Sequence, residues 1–241
     1  MFWLALISVS FAHKPSFGNE FISAESAFEI TDPDVSIVVY QTLTCENSEL
    51  WMTFDVDAGK EMYVQVGVPV IDRLTDFRPN VAIVAPGLDA DDEVPFAVPD
   101  GMTAMVFESE SESVDFYEPF TQTDSWIYIE ETVTIPSTGS GFIVAWNPEN
   151  ITGKVWVSTG TVEDFSDSDM DDFIYWGEAA NNFHETGRYE IAPTTIEENC
   201  ALENDADAKE ADVASGCSHA KTTSTWWAVL LGLVLVRRND S

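Results

Sequence analysis

Five aspartates near residue 168 form the densest group of candidate metal ligands in the sequence. They are Asp164, Asp167, Asp169, Asp171 and Asp172. Carboxylate oxygens are the ligands that Ca²⁺ prefers, and alternating carboxylates could surround one ion. The segment lacks the central glycine and the distal glutamate of an EF-hand loop. The sequence therefore predicts either a calcium site or the solvated, acidic start of a helix.

Histidine is scarce, with three residues in the whole chain. If a leader is removed after Ala12, His13 becomes the N-terminal residue and offers an amine and an imidazole to a copper ion. His184 could add a third nitrogen, although nothing in the sequence places it near His13. The alternative is that His13 is an incidental first residue of the mature chain.

The three cysteines are Cys45, Cys200 and Cys217. Because Cys217 falls in the C-terminal tail, Cys45 and Cys200 remain as a candidate pair, which an oxidising compartment would favour. Two free buried thiols are the alternative, since the sequence does not fix the distance between them.

Motifs of known enzymes are missing from the sequence. It contains no Gly-x-Ser-x-Gly elbow, zinc-type histidine pair, phosphate loop or dinucleotide fingerprint. A pair of carboxylates for glycoside hydrolysis is conceivable among 43 acidic residues, but nothing singles one out. We therefore expect a protein that is not an enzyme. The alternative is a secreted enzyme, a hydrolase or a copper-dependent one, whose site the sequence does not reveal.

The charge balance limits the partners of the protein. Lys and Arg number 10 against 43 Asp and Glu, which gives a formal net charge of −33. Such a surface repels phosphate backbones, so a nucleic-acid partner is not expected. It attracts cations, although a solvated surface adapted to high salt is the alternative interpretation. The 8 tryptophans could stack on glycans, or they could fill a core.

The N-terminal residues predict an exported protein. Phe2 to Phe11 are almost wholly apolar, and Ser10-Phe11-Ala12 matches the small-x-small pattern of signal-peptide cleavage. Residues 1–12 are predicted to be the signal peptide and residues 13–33 an N-terminal extension. A buried first strand is the alternative, but Lys14-Pro15 would interrupt it.

The C-terminal residues predict a linker and an anchor. Acidic residues and alanine dominate residues 197–214, so residues 193–225 are predicted to form a disordered acidic stalk. Residues 226–238 hold an apolar run followed by Arg237-Arg238, which predicts a hydrophobic tail with a cytoplasmic end. The apolar run is short for a permanent helical span, which needs about 20 residues.

The tail has a recognisable arrangement. Gly216-Cys217-Ser218, a polar spacer, a short apolar run and an arginine pair resemble bacterial sorting signals of the myxobacterial type. The resemblance implies that Gly216 and Cys217 mark the processing and anchoring point. It also implies a protein displayed at the cell surface or outer envelope, with the membrane as a partner of its tail. A eukaryotic glycolipid-anchor signal is the alternative.

Alternating apolar and polar residues predict many short strands between Gly and Pro turns. The predicted strands cover residues 35–43, 50–57, 62–68, 81–85, 103–107, 126–135, 142–146 and 154–158. The second and third flank Ala58-Gly59, which favours a β-hairpin. Residues 171–184 carry large apolar side chains at spacings of three and four, which predicts one helix. A mainly β fold follows, an antiparallel, jelly-roll-like β-sandwich in residues 34–192 with one short helix at its end.

Several segments resemble exported bacterial proteins whose β-sandwiches are similar to the pre-peptidase C-terminal type. The matching residues are Val35, Ser36, Val39 and Tyr40, then Asp57-Ala58-Gly59-Lys60, Ala85-Pro86-Gly87-Leu88, Glu118-Pro119-Phe120-Thr121, Ile135-Pro136-Ser137-Thr138-Gly139 and Gly153-Lys154. The resemblance implies the fold and carries no catalytic residue. The function we expect is that of a surface-displayed module for adhesion, matrix contact or cation binding, with a glycan, matrix or surface-protein partner.

Overall fold

The computed structural model describes residues 13–90 and 92–189. All of these residues belong to one compact unit, Met1–Ala201, and the second unit, Leu202–Ser241, lies outside the described residues. The predicted signal peptide, the Gly216-Cys217 processing point and the hydrophobic tail also lie outside them.

Two β-sheets and one α-helix make up the described part of the chain. In chain order the strands are β1 (Lys14–Phe17), β2 (Phe28–Ile30), β3 (Ile37–Leu43), β4 (Glu49–Val56), β5 (Lys60–Pro69), β6 (Asn80–Ala85), β7 (Thr103–Phe107), β8 (Val114–Glu118), β9 (Thr123–Ile135), β10 (Gly139–Trp146) and β11 (Gly153–Thr159). A short 3-10 helix, Asp72–Leu74, follows β5, and α1 (Met170–Phe183) follows the last strand. The six-stranded sheet has the order β1-β3-β11-β5-β9-β8, and the five-stranded sheet has the order β2-β4-β10-β6-β7. The prediction of a mainly β sandwich with one helix is confirmed.

The core lies between the two sheets and explains the alternation in the sequence. Leu50, Met52 and Phe54 of β4 are buried there, and so are Met62 and Val64 of β5. Every second residue of β4 and β5 reaches this layer, because successive side chains of a strand point to opposite faces. Period-two hydrophobicity therefore indicated correctly which face of these two strands lies against the core.

The predicted hairpin of β4 and β5 is wrong, because the two strands lie in different sheets. β4 pairs with β10, whereas β5 pairs with β9 and β11. The chain crosses between the sheets at Gly59, which has a φ of 88° and whose N–H donates to the carbonyl of Ile135 at 2.7 Å. Alternation shows which face of a strand is buried and does not show which strand lies beside it.

Residues 13–33 contribute strands to both sheets. β1 pairs in parallel with β3, and β2 pairs in parallel with β4, so that an otherwise antiparallel sandwich has one parallel pair at an edge of each sheet. Pro15 lies within β1, where it was expected to interrupt a strand. An edge strand tolerates proline because one side of the strand needs no hydrogen-bond donor.

The helix forms where the sequence predicts it, within one residue at each end. Asp169 caps its N-terminus, and Asp169 and Asp172 form a reciprocal capping box. α1 packs on the outer face of the six-stranded sheet, where Phe183 contacts Tyr40 with ring centroids 5.0 Å apart. A second aromatic contact joins Tyr175 of α1 to Phe17 of β1 at 6.1 Å.

The outer face of the five-stranded sheet is also covered. Trp51 and Trp146 lie on this face, and Phe96, from the segment between β6 and β7, packs against both rings at 5.0 and 5.5 Å. Both outer faces of the sandwich thus carry packed layers of side chains.

Gly67 of β5 provides a test of how the outer layer is packed. A Cβ at this position would lie 2.2 Å from the indole ring of Trp156, so we expect Gly67→Ala to cost about 1–3 kcal/mol of unfolding free energy. A Cβ at Gly177 of α1 meets nothing within 4 Å, so Gly177→Ala should be neutral or stabilise by up to about 1 kcal/mol. Urea denaturation measures both. Equal stabilities of Gly67→Ala and the wild type would show that Trp156 does not lie against β5.

Candidate functional site

A cluster of polar side chains is buried between α1 and the six-stranded sheet. Its members come from strands β3, β8, β9 and β11 and from the residue that follows α1. They are Tyr40, Glu118, Ser125, Trp156 and His184, and all line one cavity. Sequence reasoning singled out only His184 as a site residue, because the other four lie on separate strands, and Tyr40 and Glu118 entered it only as part of the fold resemblance.

A chain of hydrogen bonds runs from the sheet into the helix. The indole Nε1–H of Trp156 donates to Ser125 Oγ at 3.0 Å, and Ser125 Oγ lies 3.1 Å from His184 Nε2. His184 Nδ1 lies 2.8 Å from the carbonyl oxygen of Ala180. Because a carbonyl only accepts, the proton of His184 is on Nδ1, and Nε2 accepts from the Ser125 hydroxyl.

Ionic contacts hold the same end of α1. Lys154 Nζ donates to the carbonyl of Phe183 at 2.7 Å and pairs with Glu185 at 2.7 Å. Arg73 forms two hydrogen bonds to the carboxylate of Glu185. The bidentate bond from Arg73 is the first cause that lowers the pKa of Glu185 to about 2. The carboxylate therefore stays ionised, and it ties the segment after α1 to β11 and to the 3-10 helix.

Burial sets the protonation states in the cavity. It lowers the pKa of His184 to about 4, although the Ala180 carbonyl acts in the opposite direction. Burial also raises the pKa of Glu118, against a hydrogen bond from the backbone N–H of Phe120, and it raises the pKa of Tyr40. At neutral pH the imidazole of His184 is thus neutral, which is the form that can accept from Ser125.

The Ser125–His184 pair has the polarity of a nucleophile and its general base, but its surroundings are closed. The two residues are 3% and 6% exposed. The cavity leaves about 20 Å³ for the centres of water-sized molecules, roughly the room that one water needs. Ser125 Oγ also accepts from Trp156. In this arrangement the pair joins α1 to the sheet, and little free space lies beside it.

His13 lines the same cavity as His184, so the structure brings both predicted copper ligands to one place. Nδ1 of His13 is hydrogen-bonded to Ser36 Oγ at 2.5 Å, and burial lowers the pKa of His13 to about 4. Within the described residues, however, no group of three or more His, Cys, Asp or Glu side chains is arranged to hold a metal ion. Copper binding by His13 and His184 stays a prediction.

Two of the five clustered aspartates organise the start of α1. The carboxylate of Asp169 accepts from the backbone N–H groups of Asp171 and Asp172 at 2.8 and 3.1 Å. In return, the side chain of Asp172 accepts from the backbone N–H of Asp169 at 3.0 Å. These bonds satisfy donors that have no partner within the helix.

Two further aspartates of the cluster make other contacts. Asp167 pairs with Lys14 at 2.8 Å, and Asp164 accepts from the backbone N–H of Ser166 at 3.0 Å. No three of the clustered carboxylates converge as a metal group within the described part of the chain. The calcium expectation for Asp164, Asp167, Asp169, Asp171 and Asp172 stays a prediction.

Cys45 forms a disulfide bond. Cys200 and Cys217 lie outside the described residues, so the pairing of Cys45 with Cys200 stays a prediction.

Most tryptophans of the sandwich are part of its packing. Trp51, Trp146, Trp156 and Trp176 are buried, and Trp126 is half-buried against the core. A row of exposed indole rings for stacking on a glycan is therefore not seen within residues 13–90 and 92–189.

Larger hollows occur at the surface as open grooves. One, of about 480 Å³, is bounded by Glu49, Glu93, Glu108 and the edge of Trp146. Another, of about 500 Å³, lies around Lys60. None of the helices described here is long and apolar enough to cross a membrane.

No protein-family model and no curated protein matches the chain. Among solved structures it is similar to PliG of Aeromonas hydrophila, a periplasmic inhibitor of g-type lysozyme, with 13% identity, a TM-score of 0.35, and coverage of 62% of this chain and 98% of that one. It is also similar to the pre-peptidase C-terminal domain of a Bacillus anthracis collagenase, with 9% identity, a TM-score of 0.30, and coverage of 54% and 91%. A third is CorA, a surface-associated copper-binding protein of Methylomicrobium album BG8, with 8% identity, a TM-score of 0.29, and coverage of 63% and 99%. These scores are too low to assign a function to this chain.

His184 predicts how stability depends on pH. Its pKa is about 4 in the folded protein and 6.5 for an ordinary, exposed histidine, so between these values the unfolded chain binds more protons. The stabilising contribution is complete above pH 6.5 and is lost as the pH falls towards 4. The difference between the two pKa values corresponds to roughly 3 kcal/mol of unfolding free energy at most.

Melting temperatures measured from pH 7 to pH 4.5 in 1 M sodium chloride test this prediction. At that salt concentration the Debye length is roughly 3 Å, so the repulsion among carboxylates, which acid would relieve, is screened. His184→Gln should flatten the pH dependence, and His13→Gln serves as the matched comparison for the other buried imidazole. If the wild type and His184→Gln lose stability equally, His184 is not the group that titrates.

Proposed function

We propose that this chain is an exported, non-catalytic module displayed at a cell surface or outer envelope, where it binds cations or a cationic partner. The observation that carries the proposal is the closure of the polar cavity. The catalytic-like pair, Ser125 and His184, is enclosed in a space of about 20 Å³. Both outer faces of the sandwich are packed over, so the fold presents loops, edges and open grooves to a partner.

The electrostatics support a cationic partner. The described cations make contacts within the domain, as Lys14 does with Asp167, Lys60 with Asp34, and Lys154 with Glu185. Arg78 lies over the ring of Tyr128 at 4.3 Å. With a net charge of −33 and the cations of residues 13–90 and 92–189 engaged in internal contacts, the protein offers mainly carboxylates to the solvent. Such a surface speeds encounters with positively charged ligands.

A secreted hydrolase is the second candidate, and one observation favours it. The neutral His184 accepts from the hydroxyl of Ser125, as a general base does from a serine nucleophile. A substrate would have to displace α1 from the sheet to reach Ser125. The contacts of Lys154, Asn181 and Glu185 oppose that movement.

Display is tested by deleting residues 226–241 from the full chain. If the apolar run retains the protein at the envelope, the truncated protein should appear folded in the medium, because it lacks that run. Cell fractionation with mass spectrometry of the mature chain locates the protein and both of its ends. Deletion of residues 239–241 alone is the control and should not release it. Retention of the 226–241 deletion in the membrane fraction would contradict the proposed anchor.

A further inference from the structure

Strand β8 lies at one edge of the six-stranded sheet and has a neighbouring strand on one side only. It pairs with β9 along its whole length, from Val114 opposite Ile127 to Glu118 opposite Thr123. Within residues 13–90 and 92–189, no backbone hydrogen bond is made on its other side. Because alternate N–H and C=O groups of an edge strand point away from its partner, β8 presents a row of backbone donors and acceptors.

The other described sheet edges are shielded or very short. At β7, the backbone N–H of Val106 donates to Asp92 Oδ2 at 2.9 Å, and the N–H of Asp92 donates to the carbonyl of Ala104 at 3.0 Å. β1 has four residues and includes Pro15, and β2 has three residues. β8 is longer than either and contains no lysine or proline, residues with which proteins prevent pairing at an edge. Its edge is therefore open to a further strand.

Large apolar side chains of this edge lie at the surface. Val114 is 67% exposed, Tyr117 is 53% exposed, and Phe120, just after the strand, is 43% exposed. Val114 lies on the same face as Phe116, whose ring contacts Trp156 with centroids 6.4 Å apart. Tyr117 lies on the opposite face. Exposed apolar side chains that are grouped in this way mark interaction sites, whereas single ones do not.

The chain around β8 is acidic. Residues 108–124 contain six acidic side chains and no lysine or arginine. Asp115 of β8 and Asp124 of β9 are both exposed. They share one face of the sheet, because Asp124 is paired with Tyr117, which lies two residues after Asp115. A positively charged side chain on a strand beside β8 would therefore meet carboxylates on that face.

The same charges disfavour a second copy of this chain as the occupant. Each copy has a formal net charge of −33, so two copies repel each other. A second β8 would also bring its own Asp115 and the acidic loop before it to the shared edge, and like charges on neighbouring strands are destabilising. The charge of the edge instead suits a partner of opposite sign.

We propose that the free edge of β8 binds an extended protein segment in which basic and apolar residues alternate, and that this segment joins the six-stranded sheet as a further strand. The backbone of β8 supplies main-chain hydrogen bonds, and its side chains supply selectivity. The apolar side chains of the segment lie beside Val114 and Phe116, and its basic side chains lie beside Asp115. The inference specifies the cationic partner of the proposed function and rests on that function.

The test uses the peptide acetyl-Lys-Val-Lys-Val-Lys-Val-Lys-amide, titrated into the full mature chain by calorimetry at about 0.15 M salt. We expect saturable binding of one peptide per chain. A peptide of the same composition in the order Lys-Lys-Val-Val-Val-Lys-Lys should bind at least about fivefold more weakly, because an extended strand of it has no basic face and no apolar face. The alternating peptide with glutamate in place of lysine should not bind.

Methylated peptides test whether binding uses strand pairing. Methylation of the three valine nitrogens removes the donors on one edge of the extended peptide, and methylation of the lysine nitrogens removes those on the other. Because β8 contacts one edge of the added strand, one methylated peptide should lose binding and the other should keep it. Equal effects of the two methylations would contradict addition of the peptide as a strand.

Matched variants localise the site. Asp115→Lys should weaken binding of the alternating peptide by about tenfold, because an opposite-charge pair across the strands is replaced by a like-charge pair. Asp115→Asn should weaken it less, by about threefold. Glu61→Lys changes the net charge by the same amount at an exposed position of β5 and should bind like the wild type. Melting temperatures of the variants show that each one is folded.

Equal affinities of Asp115→Lys and Glu61→Lys would overturn β8 as the site, although a cationic partner for the acidic surface as a whole would stand. Failure of every basic peptide to bind would contradict the proposed cationic partner as well, so the two failures can be told apart. Sedimentation velocity of the chain alone provides a further check. A dimer that Asp115→Lys alters would assign the edge to a second copy and overturn the proposal.

Discussion

The hydrogen bonds that run from Trp156 through Ser125 to His184 fix the position of α1 on the six-stranded sheet. The helix lies over apolar and aromatic side chains, which stabilise its packing but do little to fix its orientation. The chain of hydrogen bonds fixes the orientation, because each donor has one acceptor and every member is buried. The place of α1 in turn defines the cavity beneath it.

Scarcity of positive charge is a second constraint on this fold. With 10 basic residues against 43 acidic ones, each cation that the domain has can neutralise only a little of its charge. The structure uses several of them for contacts between distant segments, as in Lys14 with Asp167 and Arg73 with Glu185. Exposed ion pairs contribute little each, but the group around Glu185 is half-buried and closes the end of α1. The remaining carboxylates give the surface its negative charge.

The sequence was a good guide to local structure. Phe173, Trp176 and Ala180 recur at helical spacing, and Trp176 and Ala180 are buried in α1. The alternation in β4 and β5 marks the buried faces of those two strands. Strand neighbours were not predictable, because a turn at Gly59 suits both a hairpin and a crossing between sheets. β1, β2 and β8 were missed, since edge strands are short and tolerate residues such as Pro15 that interrupt central strands.

The candidate site could be predicted only in part. His13 and His184 were singled out by their rarity, and the structure brings both to one cavity. Ser125 carried no signal, and Tyr40 and Glu118 entered only through the fold resemblance, because the significance of all three comes from the assembly of β3, β8 and β9 into one sheet, which composition and spacing do not encode. The aspartates around the start of α1 also carried a signal: Asp169 and Asp172 form the capping box and Asp167 pairs with Lys14, while the calcium site stays a prediction.

The central claim is that the Ser125–His184 pair holds α1 in place and does not catalyse a reaction. Reaction of the native protein with a fluorophosphonate, followed by intact-mass and peptide analysis, tests it most directly. A known serine hydrolase in the same reaction serves as the positive control. We predict no adduct on Ser125, because its hydroxyl is enclosed and accepts from Trp156. A stoichiometric adduct on Ser125 that disappears in His184→Gln would contradict the account and identify a hydrolase.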